Sequence, residues 1–301
     1  MRGAVEFRKR IIDRIDKIDE AEIRGHVESF CKIGPRCDAF PLSIDRTRAY
    51  LKKALDQFGY QVEEEPCDSA YQTNVIAELP GTLAKNCVIE IGAHYDTRPD
   101  TPGADDNASG VAGLLEIARV MARVKTRRTI RFCFFGLEET TRGGSRTHLA
   151  RIVSRKHERL AGVLVFEMIG YRTYDSNSQR TPVRIPLVLW PPRTGDFIAV
   201  VSDFRSSAIA TRFHKAAKKY VPTLRVYLVK RIGRLLKDGI RSDHSMYWRA
   251  GRKGVMITDT ANFRNPNYHL PSDTPSTLAF KFVAEVARTA AATALEWAQI
   301  P

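Results

Sequence analysis

The chain lacks any run of about 18 apolar residues, so no segment of it is expected to span a bilayer. Cysteine is scarce. Cys31, Cys37, Cys67, Cys87 and Cys133 are an odd set without a repeating spacing, which excludes a disulfide scaffold and points to reduced thiols. Met1 to Glu22 is crowded with charge and has no apolar stretch, so it does not read as a secretory leader. A cytoplasmic protein is expected, with a secreted origin after leader removal left open. There is no internal repeat and no low-complexity linker, and one domain over residues 1–301 is expected. With 43% hydrophobic and 27% charged residues, the composition excludes a disordered or collagen-like chain.

Negative charge is also in short supply, at 34 Asp and Glu against 48 Lys and Arg, for a net charge of +14. Two stretches concentrate the excess. Thr141 to Leu160 carries Arg142, Arg146, Arg151, Arg155, Lys156 and Arg159 against Glu158, and Arg225 to Arg241 carries six cations against Asp238. Neither interleaves aromatics for base stacking, and no helix-turn-helix, finger or RNA-binding signature is present. A solvated basic surface is expected, with no nucleic-acid partner.

What is present is an alternation of strand and helix patterns. Residues 5 to 33 form a helical lead-in, with Ile11, Ile12, Ile15, Ile18, Ile23, Val27 and Phe30 at helical spacings. Arg46 to Phe58 reads as a helix stopped by Gly59. Cys87 to Ala93, Thr129 to Phe135, Gly162 to Phe166, Phe197 to Val201, Val226 to Val229 and Val255 to Thr258 are short apolar runs of the kind buried strands use. Ser109 to Val124, Ala208 to Tyr220 and Leu278 to Ala298 are helical between and after them. The pattern predicts an α/β fold with a mostly parallel mixed central sheet and helices on both faces. Residues 172–195 form a long loop, and a loop of that length is usually functional.

In such sheets ligands gather at the carboxyl ends of strands. There the sequence supplies His94-Tyr95-Asp96, Asp105-Asp106 ahead of a helix, Glu138-Glu139, Glu167, and Tyr268-His269. Five elements thus deliver imidazole or carboxylate to one rim. Oxygen and imidazole donors without cysteine suit zinc or a similar divalent ion in a catalytic site. Glu138 and Glu139 follow a Phe-Cys-Phe-Phe strand, where burying two adjacent charges is costly without a cation. His26, His148, His157 and His214 have the neighbours of helix-surface residues and are given no role. No Gly-x-Ser-x-Gly elbow occurs, and Ser242-Asp243-His244 cannot form a triad from consecutive residues, so a serine hydrolase is not expected.

On Ile33-Gly34-Pro35-Arg36, Gly92 to Thr97, Gly103 to Gly110, Phe135 to Ser145, Ser242-Asp243-His244 and Tyr268 to Thr274, the chain resembles metallopeptidase family 28. These are the co-catalytic zinc aminopeptidases, which share their fold with the glutaminyl cyclases. The resemblance implies a zinc-dependent exopeptidase acting on N-terminal residues of peptides. It places Asp106 between two zinc ions, His94 and Glu167 on one, and Glu139 and His269 on the other. Glu138 takes the general-base position, Asp96 supports the His94 ring, and Tyr268 matches a tyrosine that stabilises the oxyanion in some members. Asp243 falls on a supporting or acid/base position. The pattern departs at Glu167, where the family usually has Asp, so one or two zinc ions are implied and two are expected. A single zinc on Asp106, Glu139 and His269 is the arrangement of the cyclases, with Glu138 and Asp243 as acid/base residues. Cyclisation of N-terminal Gln is therefore the alternative, and an inactive binding protein on the same scaffold the third. If the two basic stretches flank the site entrance, they favour substrates with acidic groups beyond the scissile bond.

Overall fold

The computed structural model describes residues 2–155, 157–181, 184–186 and 189–300. Lys156 of the first basic stretch, residues 182–183 and 187–188 of the long loop, and both terminal residues lie outside the described residues.

Ile11, Ile15, Ile18, Ile23, Val27 and Phe30 are all buried, as their spacing predicts. The lead-in is nevertheless two helices, α1 (Arg2–Ile15) and α2 (Glu20–Ile33). Asp19 restarts the helix: its side chain accepts a 2.7 Å hydrogen bond from the Ala21 amide. The next helix, α3 (Pro41–Phe58), begins earlier than its periodicity suggested because Pro41 is preset for a first helical turn. It ends at Gly59, whose φ of 91° is the left-handed conformation that glycine adopts freely.

Two antiparallel strands follow, β1 (Val62–Pro66) and β2 (Thr73–Leu79), neither of which the apolar-run criterion found. β1 reads Val-Glu-Glu-Glu-Pro, alternating between faces instead of running apolar. The remaining elements are β3 (Ala84–His94), α4 (Gly110–Met121), β4 (Arg128–Phe135), α5 (Glu138–Thr141), α6 (Gly143–Ser154), β5 (Arg159–Phe166), β6 (Ile198–Ser202), α7 (Ser207–Tyr220), β7 (Val226–Val229), α8 (His244–Arg249), β8 (Gly254–Thr258) and α9 (Phe280–Ala298).

The strands form one 8-stranded sheet in the order β1-β2-β4-β3-β5-β8-β6-β7. β4, β3, β5 and β8 are adjacent and parallel, while β1, β2 and the β8–β6 pair are antiparallel. The expected mixed sheet is therefore observed. On one face Ile89, Ile91, Phe132, Phe134 and Leu164 pack against the apolar sides of α4 and α9. Alternate residues Cys133, Phe135, Val163 and Val165 point the other way, onto Leu149 of α6 and Tyr247 of α8. All five cysteines are free thiols. Among the described residues no helix is long and apolar enough to cross a membrane.

Four parallel neighbours align their carboxyl ends along a single rim. His94 closes β3, Glu138 follows β4 and Glu167 follows β5.

Candidate metal centre

His94 is fixed by being the last residue of β3, and its ring is buried. Asp106 sits in an irregular turn over residues 104–109 that feeds α4. The Asp273 carboxylate accepts from the main-chain amides of Asp105 (2.9 Å) and Asp106 (3.1 Å), which anchors that turn. Asn107 ties the same turn to the end of β5, donating to the Phe166 carbonyl at 2.9 Å and accepting from the Met168 amide at 3.0 Å. This fastens the Asp106 turn to the segment carrying Glu167. Glu138 and Glu139 open α5, and the Asp96 carboxylate accepts from both of their amides, at 3.0 and 3.1 Å.

The ligand-competent atoms fall into two triads, His94–Asp106–Glu167 and Asp106–Glu139–His269. In the first, His94 Nε2 lies 3.5 Å from Asp106 Oδ1 and 3.4 Å from Glu167 Oε2. In the second, His269 Nε2 lies 3.1 Å from Asp106 Oδ2 and 3.3 Å from Glu139 Oε2. Each oxygen of Asp106 thus faces a different triad. Donors bound tetrahedrally at about 2.1 Å would stand roughly 3.4 Å apart, the separation of the donors here. Several of these atoms are buried without a hydrogen-bond partner, namely His94 Nε2, Asp106 Oδ1, Glu139 Oε1 and His269 Nε2. Buried polar atoms are otherwise almost always partnered. The residues present fit divalent-ion binding, and Asp106 is common to both triads.

The electrostatics agree. Burial, then repulsion from Asp106, lifts the Glu139 carboxyl to about 8. Glu138 is raised well above the usual carboxylate range by burial and by the charges of Glu167, Asp243 and Glu139. Burial also works to raise Asp106, but the neighbouring imidazoles of His269 and His94 outweigh it and draw its carboxyl down. Burial opposes protonation of His269, yet the adjacent carboxylates of Asp106 and Glu139 lift it to about 9. So many carboxylates in one buried pocket are held at a cost that a bound cation removes.

Glu167, the residue that departs from the family pattern, does reach the cluster. Its Oε2 also accepts a short hydrogen bond from Ser242 Oγ, which holds the longer side chain in place. Asp96 lies beside His94, with 3.5 Å between its Oδ1 and His94 Nδ1, but its two oxygens are engaged mainly by the Glu138 and Glu139 amides. The Asp96 carboxylate therefore orients the Glu138–Glu139 turn, while the His94 ring is held by the Asp96 main-chain carbonyl, 3.2 Å from Nδ1. Tyr268 stacks on His269 with ring centroids 3.7 Å apart, and its hydroxyl accepts from Arg241 at 2.7 Å. Asp243 is buried with neither oxygen hydrogen-bonded, and burial pushes it up to about 7. His244 turns away, bonding the Gly239 carbonyl at 2.8 Å.

One expectation needs correction. His148 is not on a helix surface but fully buried, between Glu65 (2.7 Å) and Glu90 (3.1 Å). His26 is buried as well, its Nδ1 at 2.7 Å from the Tyr50 hydroxyl. Sequence neighbours report the exposed side of a helix, whereas these partners come from distant segments.

A cavity of about 310 Å³ opens from the triads. Its deep wall is apolar, built from Leu189, Phe197, Val201, Tyr227, Val229 and Met256. Gln179, Arg180, Leu189 and Pro191 bring the long loop into its lining, so that loop contributes to the site. Residues to which the sequence assigned no role also contribute: Arg180 and Ser242 line the cavity, while Asn107 and Asp273 hold the Asp106 turn. Asp273 lies within Tyr268 to Thr274, a segment the sequence reading had marked.

The sequence profile of peptidase family M28 matches residues 74–294. An Escherichia coli protein, YfbL, whose function is uncharacterised, is 36% identical over 81% of this chain and 77% of its own length. A probable zinc metalloprotease of Pyrenophora teres is 28% identical over 76% of the chain, which spans only 52% of that relative. Among solved structures, Legionella pneumophila LapB superposes with a TM-score of 0.78 at 19% identity, covering 96% of this chain and 75% of that one. A Bacteroides thetaiotaomicron glutaminyl cyclase gives 0.68 at 19% identity, covering 92% and 97%. At those identities the structural likenesses establish the fold.

Proposed function

The chain belongs to peptidase family M28 and is a metal-dependent hydrolase, and from that premise we propose that it is a zinc aminopeptidase, with two ions per chain, that removes apolar residues from the N-termini of peptides. The observation that carries this reading is the division of Asp106 between two triads, one oxygen to each. A single ion on Asp106, Glu139 and His269 would leave the buried His94 Nε2 without a partner. Zinc, when bound, would supply Lewis-acid polarisation of the substrate carbonyl and of water. His94, Asp106 and Glu167 would hold one ion, and Asp106, Glu139 and His269 the other.

The chain's own residues divide the remaining work. Glu138 lines the cavity with its amide held by Asp96, and it is a member of neither triad. It accepts a proton from the attacking water and delivers it to the leaving amine. The Tyr268 hydroxyl accepts from Arg241, which leaves its own proton free to donate to the developing oxyanion. The apolar wall at Val201, Val229 and Met256 receives the side chain of the residue being removed.

The test is incubation with leucyl-anilide and with a peptide bearing N-terminal Gln, each with and without chelator. Chelator-sensitive anilide release supports the aminopeptidase. Ammonia release from the Gln peptide alone would instead assign the cyclase reaction, at Asp106, Glu139 and His269, with Asp243 beside Glu138. Inertness toward both would leave a binding protein on this scaffold.

A further inference from the structure

We infer that the mouth of the cavity is a carboxylate-binding site, formed by Arg142, Arg180 and Arg241, which selects short peptides carrying a carboxylate one or two residues beyond the scissile bond. The inference rests on the aminopeptidase reading and names its substrate class. Three separate segments supply these cations: the end of α5, the long loop, and the turn ahead of α8. Asn262 draws two of them together, its carbonyl accepting from Arg180 at 3.1 Å and its Oδ1 from Arg241 at 2.9 Å. Arg142 joins them by donating to the Arg241 carbonyl at 3.3 Å.

These guanidinium groups are short of negative partners. Among the described residues Arg142 and Arg180 make no ion pair, and Arg142 Nε is buried without a hydrogen-bond partner. Outside the metal triads and Glu138, Asp238 is the one carboxylate among the described lining residues, and it already faces Arg241 at 3.3 Å. Three like charges gathered at one mouth repel one another unless an anion enters between them. A guanidinium presents paired donors that match a carboxylate, so the chemistry of the missing partner is defined.

The position of the cluster fixes which end of the substrate it meets. Arg180 and Arg241 are exposed, whereas the triad residues His94 and Asp106 are buried. The amine end of the substrate stops inside, and the leaving segment points out toward the arginines. Arg241 is separated from the metal ligand His269 by the Tyr268 ring alone. An extended residue spans about 3.3–3.6 Å, so a carboxylate one or two residues past the scissile bond comes within range. It can be a C-terminal main-chain carboxylate or an acidic side chain.

Three peptides separate those sources: Leu-Ala, Leu-Ala amide and Leu-Glu amide. The parent should cleave Leu-Ala or Leu-Glu amide with a kcat/KM about tenfold above that for Leu-Ala amide, the gain expected from one charge-assisted pair. The acid-to-amide ratio should fall toward one in Arg142→Gln/Arg180→Gln. Preference for Leu-Ala alone assigns the main-chain carboxylate, and preference for Leu-Glu amide the side chain. Calorimetric binding of the same peptides to Glu138→Gln protein gives a readout independent of turnover. Equal cleavage and equal binding of all three, or a ratio unmoved by the double substitution, overturns the carboxylate site and leaves the peptidase reading standing. Tighter binding of the acidic peptides without cleavage of any by the parent upholds the carboxylate site and removes the peptidase reading.

Discussion

At the scale of single residues the site turns on two glutamates. Glu138 lines the cavity, lies outside both triads, and has its amide fixed by Asp96. Glu138→Gln is expected to keep zinc content and fold while lowering turnover at least about a hundredfold, since general-base contributions run from about 10² to 10⁴. A metal-replete Glu138→Gln protein with parental turnover would remove Glu138 from the chemistry. Glu167 is where the chain departs from the family pattern, and its extra methylene changes where the carboxylate arrives. The contact with Ser242 supplies what the sequence could not: a partner, 75 residues away, that holds the longer side chain against His94. Glu167→Ala should therefore reduce bound zinc from two ions to one, by elemental analysis after dialysis against modest zinc excess. Ser242→Ala should keep both ions but weaken the one on His94 by roughly 10–100-fold, the usual effect of removing a group that supports a ligand. Identical zinc titrations for parent and Ser242→Ala would show that Glu167 needs no such support.

At the scale of elements, the strands that carry the site were legible because each is a short apolar run ending in a polar residue. His94, Glu138 and Glu167 could be placed on one rim without coordinates. β1, β2 and α6 were not legible in that way. β1 is rich in glutamate, and α6 begins with two glycines and carries His148 among arginines. What joins them is a buried ionic row. His148 of α6 sits between Glu65 of β1 and Glu90 of β3, with Cys133 of β4 at 3.7 Å and Arg151 3.6 Å from Glu65. Arg131 of β4 pairs with Glu90, Glu78 and Glu158, and Tyr247 of α8 donates to Glu90 at 2.7 Å. Such pairing becomes visible only once the sheet register sets Glu90 opposite Arg131.

The row has consequences for stability against pH. Burial opposes protonation of His148, but Cys133, Glu90 and Glu65 outweigh it and raise its pKa well above the usual value. Its contribution is therefore full below about 6.5, the unfolded value, and lost as pH rises through the raised folded value. Glu90 behaves oppositely. Burial works to raise it, yet His148 and Arg131 bring it to about 2, so its contribution is lost as pH falls from its unfolded value toward that point. His148→Gln leaves Glu65 and Glu90 buried without that cation and should cost about 3–5 kcal/mol near neutrality, read from urea midpoints. The gap between parent and His148→Gln should narrow as the solution becomes alkaline. A gap that stays constant or widens there would mean that His148 is held neutral.

For the whole molecule, the same imbalance of charge appears inside and outside with opposite sign. The chain carries +14 overall, while Asp106, Glu138, Glu139 and Glu167 line one pocket and Asp96 and Asp243 stand beside Glu138. The acidic pocket makes bound zinc part of the fold's stability, because ions that bind only the folded chain stabilise it by mass action. At a free concentration a hundredfold above the dissociation constant, that contribution is about 2.7 kcal/mol. In a chain of 301 residues each kcal/mol moves the midpoint by roughly 1.5 °C, so chelation should lower the melting temperature by about 4 °C for each ion removed, and zinc should restore it. The surface charge acts through salt instead. Attraction between the arginines at the mouth and a peptide carboxylate is screened over about 8 Å at physiological ionic strength. Preference for acidic peptides should therefore fade as salt rises, while the zinc-dependent shift, which comes from buried ligands, should change little. Melting curves recorded with and without chelator at low and high salt separate the two. If salt abolishes the chelator shift as fully as it abolishes the acidic preference, the ions are held by exposed charge and the buried triads are not their site.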